Sequence, residues 1–201
     1  MASPILIDVP EELRGDRVVV RRYRTEDAEA VWTAIDESRE RLLPWLPWVE
    51  GYRPDDARAF VARARARWLL REDLGLGIFS ADDGGYLGGT GLHHIDWDLR
   101  TFVIGYWIRT GAEGKGYVSE AVRLLTRLAF DRLGANRVEI TVDPRNERSL
   151  RVVKRSGYVL EGTLRRCAPP KDGVPTDRRI FSLIPEDYRR LPWAEQSLGR
   201  A

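Results

Sequence analysis

The sequence predicts a mixed α+β layer fold, and three observations lead to that class. The segment Thr101–Ile108 (TFVIGYWI) is almost continuously apolar and aromatic, as is typical of a strand covered on both faces. An amphipathic stripe with helical spacing then runs through residues 117–133. No repeat and no long Pro/Gly/Ser linker interrupts the 201 residues, a length that suits a single domain. We therefore expect one domain over residues 1–201, with its core at about 17–184.

The first half of the chain predicts a strand, two helices and a hairpin. Thr25 followed by Glu26 is typical of a helix start, because a side-chain oxygen caps the first turn and an acid stabilises it. Pro44 and Pro47 each remove a backbone donor, so the segment LLPWLPW does not continue that helix. We expect, in chain order, a strand at 18–23, a helix at 25–36, a rigid aromatic loop at 42–48, a helix at 54–68 and hairpin strands at 76–81 and 86–94.

The second half predicts an alternation of helices and strands around a central strand at Thr101–Ile108. Val138, Ile140 and Val142 alternate with polar residues, which indicates a strand with one buried face. Gly134 ends the helix before it. We expect, in chain order, a helix at 117–133, a strand at 138–142, a short helix at 146–156 and strands at about 158–165 and 178–184.

The charge balance argues against a protein that binds nucleic acid. There are 33 Lys and Arg residues against 31 Asp and Glu residues, a formal charge of +2, and no basic segment lacks interleaved acids. The N-terminus has no basic region followed by an apolar run, and no stretch approaches the roughly 20 apolar residues that span a bilayer. We therefore expect a cytoplasmic protein without a nucleic-acid or membrane partner.

Few side chains are available to bind a metal. Cys167 is the single cysteine, which excludes an internal disulfide and a metal site built on cysteines. His93 and His94 are the two histidines, and neighbours on a strand point to opposite faces. We expect no metal centre.

A glycine-rich segment, GAEGKGYVSEA at 111–121, lies between the central strand and the long helix. Glycines let the backbone approach a ligand closely, and a helix N-terminus favours an anion, so the segment is typical of a phosphate site. Lys115 is followed by Gly116 rather than by Ser or Thr, so the pattern of nucleoside triphosphatases fails, and the GxGxxG pattern fails too. The alternative is a strand-to-helix turn that binds nothing.

A second segment, DPRNERSLRVVKRSGY at 143–158, follows the strand at 138–142. On a helix, Asn146, Ser149 and Val153 share one face. The alternative is that Asn146 only caps the helix and that Ser149 is an ordinary hydroxyl of its first turn.

Together these segments resemble the GNAT acetyltransferases. The segments LLPWLPW, IGYWI, GKGYVSEA and NERSLRVVKRSGYVLEGTLR are similar to the RimJ/RimL branch, which acetylates protein N-terminal amines and, in its relatives, small amines. The resemblance covers the chain from about Arg17 to Ile184. It implies a central, mixed but mostly antiparallel sheet of six to seven strands with a splayed central pair, flanked by about four helices. It also implies acetyl-CoA as the acetyl donor.

The resemblance further implies where the coenzyme binds. The diphosphate would rest on the backbone amides of the glycine-rich segment, that is Glu113, Gly114, Lys115, Gly116, Tyr117, Val118 and Ser119. Main-chain groups of Trp107, Ile108 and Arg109 would bond the pantetheine arm in the manner of an added strand. Asn146 would bond the same arm from the other side.

Two departures from the family pattern bear on this interpretation. Many members carry Gln or Arg three residues before the first glycine of the loop, where this chain has Gly111, so an anchoring side chain is lost. The superfamily often places a tyrosine that protonates the departing thiolate where this chain has Val153. We expect Ser149 to replace that tyrosine, because its hydroxyl can donate a hydrogen bond to the coenzyme sulfur.

The resemblance and the residue chemistry together suggest the acceptor side. His93 is our candidate for the base that removes the amine proton, with His94 or a water held by a carboxylate such as Glu37 as the alternatives. Trp45 and Trp48 lie in the loop that lines the acceptor side of the cleft in the family. Their faces could hold a peptide terminus or a flat ring, or they could simply fill the core beneath the loop.

We expect an N-acetyltransferase that moves acetyl to a primary amine by direct attack, since Cys167 lies outside both motifs. The preferred acceptor is a protein or peptide N-terminus. The alternatives are a small-molecule acetyltransferase acting on an amino-nucleoside, polyamine or antibiotic, a non-catalytic acyl-CoA sensor, and an interaction module without a cofactor. Both a monomer and a homodimer are compatible with the sequence.

Overall fold

A computed structural model describes residues 3–171 and 173–194. The rest of the predicted span 1–201, namely residues 1–2, 172 and 195–201, lies outside the described residues. The helices are α1 (Ala28–Leu42), α2 (Pro54–Leu70), α3 (Tyr117–Arg127), α4 (Glu147–Arg155) and the single turn α5 (Pro185–Tyr188). The strands are β1 (Glu12–Arg14), β2 (Val18–Arg22), β3 (Leu74–Ser80), β4 (Tyr86–Asp96), β5 (Thr101–Ile108), β6 (Arg137–Val142), β7 (Val159–Lys171) and β8 (Val174–Leu183).

The strands form one sheet in the order β1-β2-β3-β4-β5-β6-β8-β7. All neighbours are antiparallel except β5 and β6, which are parallel. The predicted mixed, mostly antiparallel α+β sheet is confirmed, with eight strands in place of six or seven. The strand that the prediction missed is β1, whose three residues pair with β2 from Glu12 opposite Arg21 and are too few to show an alternating pattern.

The central parallel pair separates along its length. β5 and β6 are in register only where residues Thr101, Phe102 and Val103 face Arg137, Val138 and Glu139. Beyond that point Ile104–Ile108 continue along β4 alone, while β6 continues beside β8. The predicted splayed pair is therefore present, and a gap opens in the middle of the sheet.

Helices cover both faces of the sheet. One face, with Leu92, Phe102 and Ile104, packs under α3. The opposite face, with Phe79 and Tyr86, packs under α1 and α2. Each side of the central gap is therefore bounded by its own hydrophobic core. Within the described residues, no helix is long and apolar enough to cross a membrane.

The first helix is longer than predicted. It was expected to end near Asp36, but α1 continues to Leu42 because Ser38 and Leu42 extend its buried face. Pro44 then ends it. The segment LLPWLPW is therefore only partly a loop, since it begins on α1 and its end enters a short 3₁₀ turn at Pro47–Val49. The predicted long helix also divides, because α3 ends at Arg127 and a π-helical turn at Leu128–Arg132 follows.

Candidate active site

The glycine-rich loop leaves the first amides of α3 without internal partners. Gly114 and Gly116 have φ values of 77° and 81°, a left-handed conformation that favours glycine. Gly116 precedes α3, whose first turn has no side-chain cap. The first amide to bond within the helix is that of Glu120, which donates to the Gly116 carbonyl at 3.2 Å. The amides of the preceding turn are therefore available for an anion, and the loop fits a diphosphate.

Arginines border this loop and supply positive charge. Arg17 donates to the Lys115 carbonyl at 2.7 Å. Arg148, on α4, forms an ion pair with Glu113, and Arg41, at the end of α1, lies 3.4 Å from the same carboxylate. Since Gly111 provides no side chain, these guanidinium groups are candidates to supply the positive charge of the missing anchor.

Three consecutive residues at the end of β5 were predicted to bond the pantetheine arm through their main chain, and one of them has main-chain groups that face the gap. The Arg109 amide donates to the Leu87 carbonyl of β4 at 2.8 Å. Because bonded and outward-facing residues alternate along an antiparallel pair, Trp107 also bonds to β4 and the main-chain groups of Ile108 face the gap. The expectation for Trp107 and Arg109 as main-chain ligands is thus corrected, and Ile108 keeps that role as a prediction.

The side chain of Arg109 has a separate partner. Its guanidinium makes a two-pronged ion pair with Glu37 of α1, and these hydrogen bonds raise the pKa of Arg109 above its usual value. The Glu37 carboxylate is occupied by this pair. The alternative that Glu37 holds the water which deprotonates the amine is therefore not supported.

Asn146 and Ser149 lie at the start of α4, beside the gap. The Oδ1 atom of Asn146 accepts the Ser149 amide at 3.1 Å, so Asn146 caps the helix. The Ser149 hydroxyl lies 2.8 Å from the Tyr106 hydroxyl. Tyr106 belongs to β5 and Ser149 to α4, so this hydrogen bond bridges the diverging elements. Burial raises the pKa of Tyr106 to about 12, against the lowering effect of its bond to Ser149.

His93 lies on the opposite face of the sheet, in contact with a carboxylate. Its Nδ1 atom is 2.8 Å from Oδ2 of Asp73. A carboxylate only accepts, so Nδ1 carries the proton and Nε2 is left as an acceptor. His94, by contrast, is exposed. His94 has a φ of 46° at an irregularity in the pairing of β4 with β5, so the two histidines have different environments.

A row of glycines across three strands makes room for the His93 ring. Gly75, Gly91 and Gly105 face one another on β3, β4 and β5. A Cβ atom on Gly91 would lie 2.7 Å from Cε1 of His93, and one on Gly105 would lie 3.1 Å from Cδ2. The imidazole therefore lies against the backbone of Gly91 and Gly105, in space that a larger side chain at either position would fill.

Beside His93 lies a cavity of about 790 Å³ between the sheet, α1 and α2. Trp48 lines it and makes an edge-to-face contact with Tyr52 at 5.5 Å between ring centroids. The side chain of Trp45 is half-buried, and Trp45 is absent from the described lining. The charged residues of the lining are Glu50, Asp56, Arg63, Arg67 and Asp73, and its other aromatic residues are Tyr23, Phe60, Tyr106 and Trp107.

The site places hydroxyl groups on one face of the sheet and a base on the other. Ser149 and Tyr106 place hydroxyls at the gap on the side of α3 and α4, and His93 places a base on the side of α1 and α2. Cys167 is exposed on β7 and does not line the cavity. No cluster of three or more possible metal ligands occurs among the described residues. The arrangement suits transfer between two bound molecules without a covalent enzyme intermediate.

Sequence reasoning missed two partners of the predicted residues. Tyr106 was visible in IGYWI, but its contact with Ser149 depends on the register of β5 against α4. Asp73 precedes β3 and gave no signal of its own, because it lies 20 residues from His93. Asp73 and Tyr106 line the same cavity as His93.

Comparison with known proteins agrees with this geometry. Residues 17–159 match the model of the acetyltransferase (GNAT) domain family. The "Putative ribosomal N-acetyltransferase YdaF" of Bacillus subtilis (strain 168) is 34% identical over 176 residues, which cover 87% of this chain and 94% of that protein. "Probable N-acetyltransferase YjcK" of the same organism is 30% identical over 178 residues, 87% of this chain and 98% of that one.

Solved structures share the fold. A crystal structure described as a probable acetyltransferase has a TM-score of 0.81 at 30% identity and covers 88% of this chain and 98% of its own. Mycobacterium smegmatis RimJ, in complex with CoA-disulfide, has a TM-score of 0.79 at 24% identity and covers 91% and 90%. The resemblance found in the sequence is confirmed: the chain belongs to the GNAT acetyltransferase family and is an acetyl-CoA-dependent N-acetyltransferase.

Proposed function

We propose that the protein acetylates the α-amine of a protein or peptide N-terminus by direct attack of the amine. The observation that carries this proposal is the gap between β5 and β6, which has the glycine-rich loop and Ser149 on one side and the His93 cavity on the other. Acetyl-CoA and the acceptor amine would approach from opposite faces of the sheet and meet at the gap. Proximity of this kind lowers the barrier without a covalent step.

His93 is the proposed base. With Nδ1 bonded to Asp73, its Nε2 atom takes the proton that the amine loses on attack. An α-amine has a pKa of about 7.7 to 8.0 and is partly neutral at pH 7, whereas a lysine amine near 10.4 is almost entirely charged. A single histidine is therefore better matched to an N-terminal amine.

Ser149 and Ile108 are proposed to stabilise the charge that develops during transfer. The Ile108 amide faces the gap and is proposed to polarise the acetyl carbonyl. The Ser149 hydroxyl is proposed to donate to the coenzyme sulfur as the bond to the acetyl group breaks. Single donors of this type contribute up to about 10³-fold, so Ser149→Ala should lower kcat by about 10 to 10³-fold.

The proposed coenzyme site uses the amides of residues 114–119, with Arg148 and Arg41 beside them. The expectation for the Glu113 amide is corrected, because it already donates to the Thr110 carbonyl at 3.2 Å. Asn146 is proposed to act indirectly, since its side-chain oxygen already accepts the Ser149 amide. Trp48, which lines the cavity, is the proposed aromatic contact of the acceptor. The corresponding expectation for Trp45 is not supported by its position.

Two observations bear on the acceptor. The relative YdaF carries a name that specifies a ribosomal N-acetyltransferase, which supports a protein acceptor. The cavity of about 790 Å³ with aromatic walls is within the range of sites for small molecules, which favours a small amine as the second candidate. The names of the curated relatives are those of N-acetyltransferases, which favours an enzyme over an acyl-CoA sensor.

The test uses three acceptor classes with acetyl-CoA. A lysine-containing peptide with a free N-terminus is compared with the same peptide carrying a blocked N-terminus, and with a panel of polyamines and amino-nucleosides. Thiol release gives the rate, and mass spectrometry locates the acetyl group. We expect modification of the free N-terminus alone. Equal rates on the blocked peptide, or turnover of the small amines only, would refute the proposed acceptor.

A further inference from the structure

We propose that Tyr106 is a positioning residue for departure of the thiol: its phenol donates to Ser149 Oγ and thereby leaves the Ser149 hydroxyl proton directed at the coenzyme sulfur. This inference rests on the role of Ser149 in the proposed function. It goes beyond that role because the helix position where the family often places a tyrosine is Val153, which is fully buried. The phenol would come instead from β5, across the gap.

The geometry at Ser149 supports one direction of donation. Its amide donates to Asn146 Oδ1, and its Oγ lies 2.8 Å from the phenol oxygen, whereas the Ser149 carbonyl, the other acceptor beside that phenol, lies at 3.4 Å. The shorter contact directs the phenol proton to Oγ rather than to the carbonyl. A serine hydroxyl in a helix otherwise tends to bond back to the carbonyl four residues earlier. A phenol is the more acidic partner and hence the better donor, so it donates and the serine accepts. The single proton of Ser149 is then free for a ligand.

The environment keeps the phenol protonated. Tyr106 is largely buried at the gap, and burial raises its pKa to about 12. At neutral pH it is therefore a stable donor. A hydrogen bond received by Ser149 also polarises the serine hydroxyl, which makes it a stronger donor to the next acceptor in the chain. Both effects favour a thiolate at the end of the chain.

The step balances without ionising either hydroxyl. As the bond from the amine nitrogen to the acetyl carbon forms, the bond from that carbon to sulfur breaks, and its electron pair goes to the sulfur as a thiolate. The amine proton passes to Nε2 of His93. Ser149 and Tyr106 keep their protons and stabilise the thiolate by hydrogen bonding, and the thiolate is reprotonated by solvent after release.

The first test compares Tyr106→Phe with Tyr158→Phe. Tyr158 is also buried and bonds through its hydroxyl, but its partner is Thr126 of α3 at 2.7 Å rather than Ser149. Thr126 keeps a second partner in the Val122 carbonyl, so Tyr158→Phe is a matched control. We expect Tyr106→Phe to lower kcat about 10- to 100-fold with little change in the KM of the amine. Tyr158→Phe should leave kcat within about twofold.

Two kinetic readouts separate positioning from general damage. The double variant Tyr106→Phe with Ser149→Ala should be no slower than Ser149→Ala alone, because the two hydroxyls act as one unit. An acetyl thioester of a more acidic aryl thiol should be transferred with a smaller penalty in Tyr106→Phe, since its thiolate needs less stabilisation. Additive losses, or an equal penalty for both thioesters, would overturn the proposal.

A binding experiment tests the same contact without turnover. Coenzyme A and desulfo-coenzyme A, which lacks the sulfur, are titrated calorimetrically from pH 6 to pH 10, with a thiol pKa of about 8.5 as reference. For the wild-type protein, coenzyme A should bind more tightly relative to desulfo-coenzyme A as the pH rises. Tyr106→Phe should weaken this dependence, and an unchanged dependence would overturn the proposal.

Failure of the proposed function gives different results. If Ser149→Ala retains wild-type kcat while Tyr106→Phe does not, the proposed role of Ser149 is wrong and so is a positioning role through it. If coenzyme A and desulfo-coenzyme A bind wild type with the same pH dependence, there is no thiolate site at the gap. If both variants behave as expected but the acceptor is a small amine, only the acceptor class is wrong.

Discussion

The Asp73 carboxylate holds the imidazole of His93 by a bond of 2.8 Å to Nδ1. Both side chains are partly exposed, with 19% of the Asp73 and 32% of the His93 side chain accessible, and both line the cavity between the sheet and α2. The bond selects the tautomer that presents Nε2 as an acceptor. A carboxylate that orients a histidine in this way affects catalysis without touching the substrate.

Replacing the carboxylate by an amide tests this relationship. Asp73→Asn can turn its NH₂ group toward Nδ1, which favours the wrong tautomer, so we expect kcat to fall about 10- to 10³-fold. The affinity for coenzyme A should stay unchanged, because the glycine-rich loop is not involved. His94→Gln is the control, since that side chain is exposed and is not among the described residues that line the cavity. Full activity of Asp73→Asn would show that the pair is only structural.

The glycine row predicts opposite outcomes for two similar substitutions. A Cβ on Gly91 would lie 2.7 Å from His93 and 2.8 Å from the Leu74 carbonyl, whereas one on Gly75 would lie 3.4 Å from Asp73 and 3.7 Å from Ala64. Gly91→Ala should displace the ring and cost about 1 to 3 kcal/mol of stability, while Gly75→Ala should be tolerated.

Thermal unfolding and kcat measured together check this pair. We expect Gly91→Ala to lose activity even at temperatures well below its Tm. Gly75→Ala should retain both stability and rate. An active Gly91→Ala protein of normal Tm would mean that the imidazole does not need its position on the sheet.

The predictable part of the fold came from patterns within short segments. Apolar runs and helical spacing place β5 and α3, and the glycines and Asn146 mark the loop and the start of α4. β1 was missed because Glu12–Arg14 is held by pairing with β2 rather than by its own pattern. The end of α1 was missed because Ser38 is buried by contacts that its residue type does not indicate.

The contacts within the site could not be predicted from short segments, because each of them joins residues that are far apart in the sequence. The Tyr106–Ser149 bond joins residues 43 positions apart, and the Asp73–His93 bond joins residues 20 apart. Consecutive residues at the end of β5 alternate between bonding to β4 and facing the gap. The register of β5 against β4 therefore decides that Arg109 bonds to β4 and that Ile108 faces the gap. Residue types at spaced positions predicted Ser149 and His93 as candidates, but not the partners that orient them.

The arginines beside the loop predict a salt-dependent contribution to coenzyme binding. Arg148 forms an ion pair with Glu113 at the loop and is about half exposed, so a diphosphate can compete for its guanidinium. Arg148→Ala should weaken coenzyme A binding about 2- to 5-fold at low salt and less at high salt. Pantetheine, which lacks the nucleotide, should bind the variant as it binds wild type.

Arg151→Ala is the matched control, because Arg151 lies on the same helix and pairs with Glu147 on its exposed side. It should leave both affinities unchanged. A loss of pantetheine binding in Arg148→Ala would indicate that α4 has shifted. Equal losses of coenzyme A affinity in Arg148→Ala and Arg151→Ala would indicate that the positive charge of α4 acts at long range, rather than through direct contact of Arg148 with the diphosphate.

The two tryptophans of LLPWLPW predict different effects on the acceptor. Trp48 is 48% exposed and lines the cavity. Trp45 is half-buried and is not among the described residues that line the cavity. Trp48→Ala should raise the KM of the acceptor about 10-fold, since an aromatic contact contributes about 0.5 to 1.5 kcal/mol beyond burial. Its kcat and coenzyme affinity should change little. Trp45→Ala should leave that KM unchanged, and the reverse result would place the acceptor elsewhere.

Asp143 predicts how the stability of the site depends on pH. This buried carboxylate follows β6 and accepts from Arg145, which leads into α4, and from Arg178 of β8. These bonds, chiefly those from Arg145, lower the pKa of Asp143 below its usual 3.8. A carboxyl whose pKa is lower in the folded state than in the unfolded state contributes stability above the unfolded value and loses it as the pH falls through the folded one.

Asp143→Asn should therefore be less stable than wild type at pH 7, by about 1.5 to 3 kcal/mol, the usual contribution of hydrogen bonds to a charged group. The difference should shrink steadily below about pH 4, as protonation removes the same charge from the wild-type protein. Urea unfolding of both proteins from pH 7 to pH 2.5 measures it. A difference that stays constant over this range would show that the carboxylate charge does not connect β6, α4 and β8, and that the loss comes from shape alone.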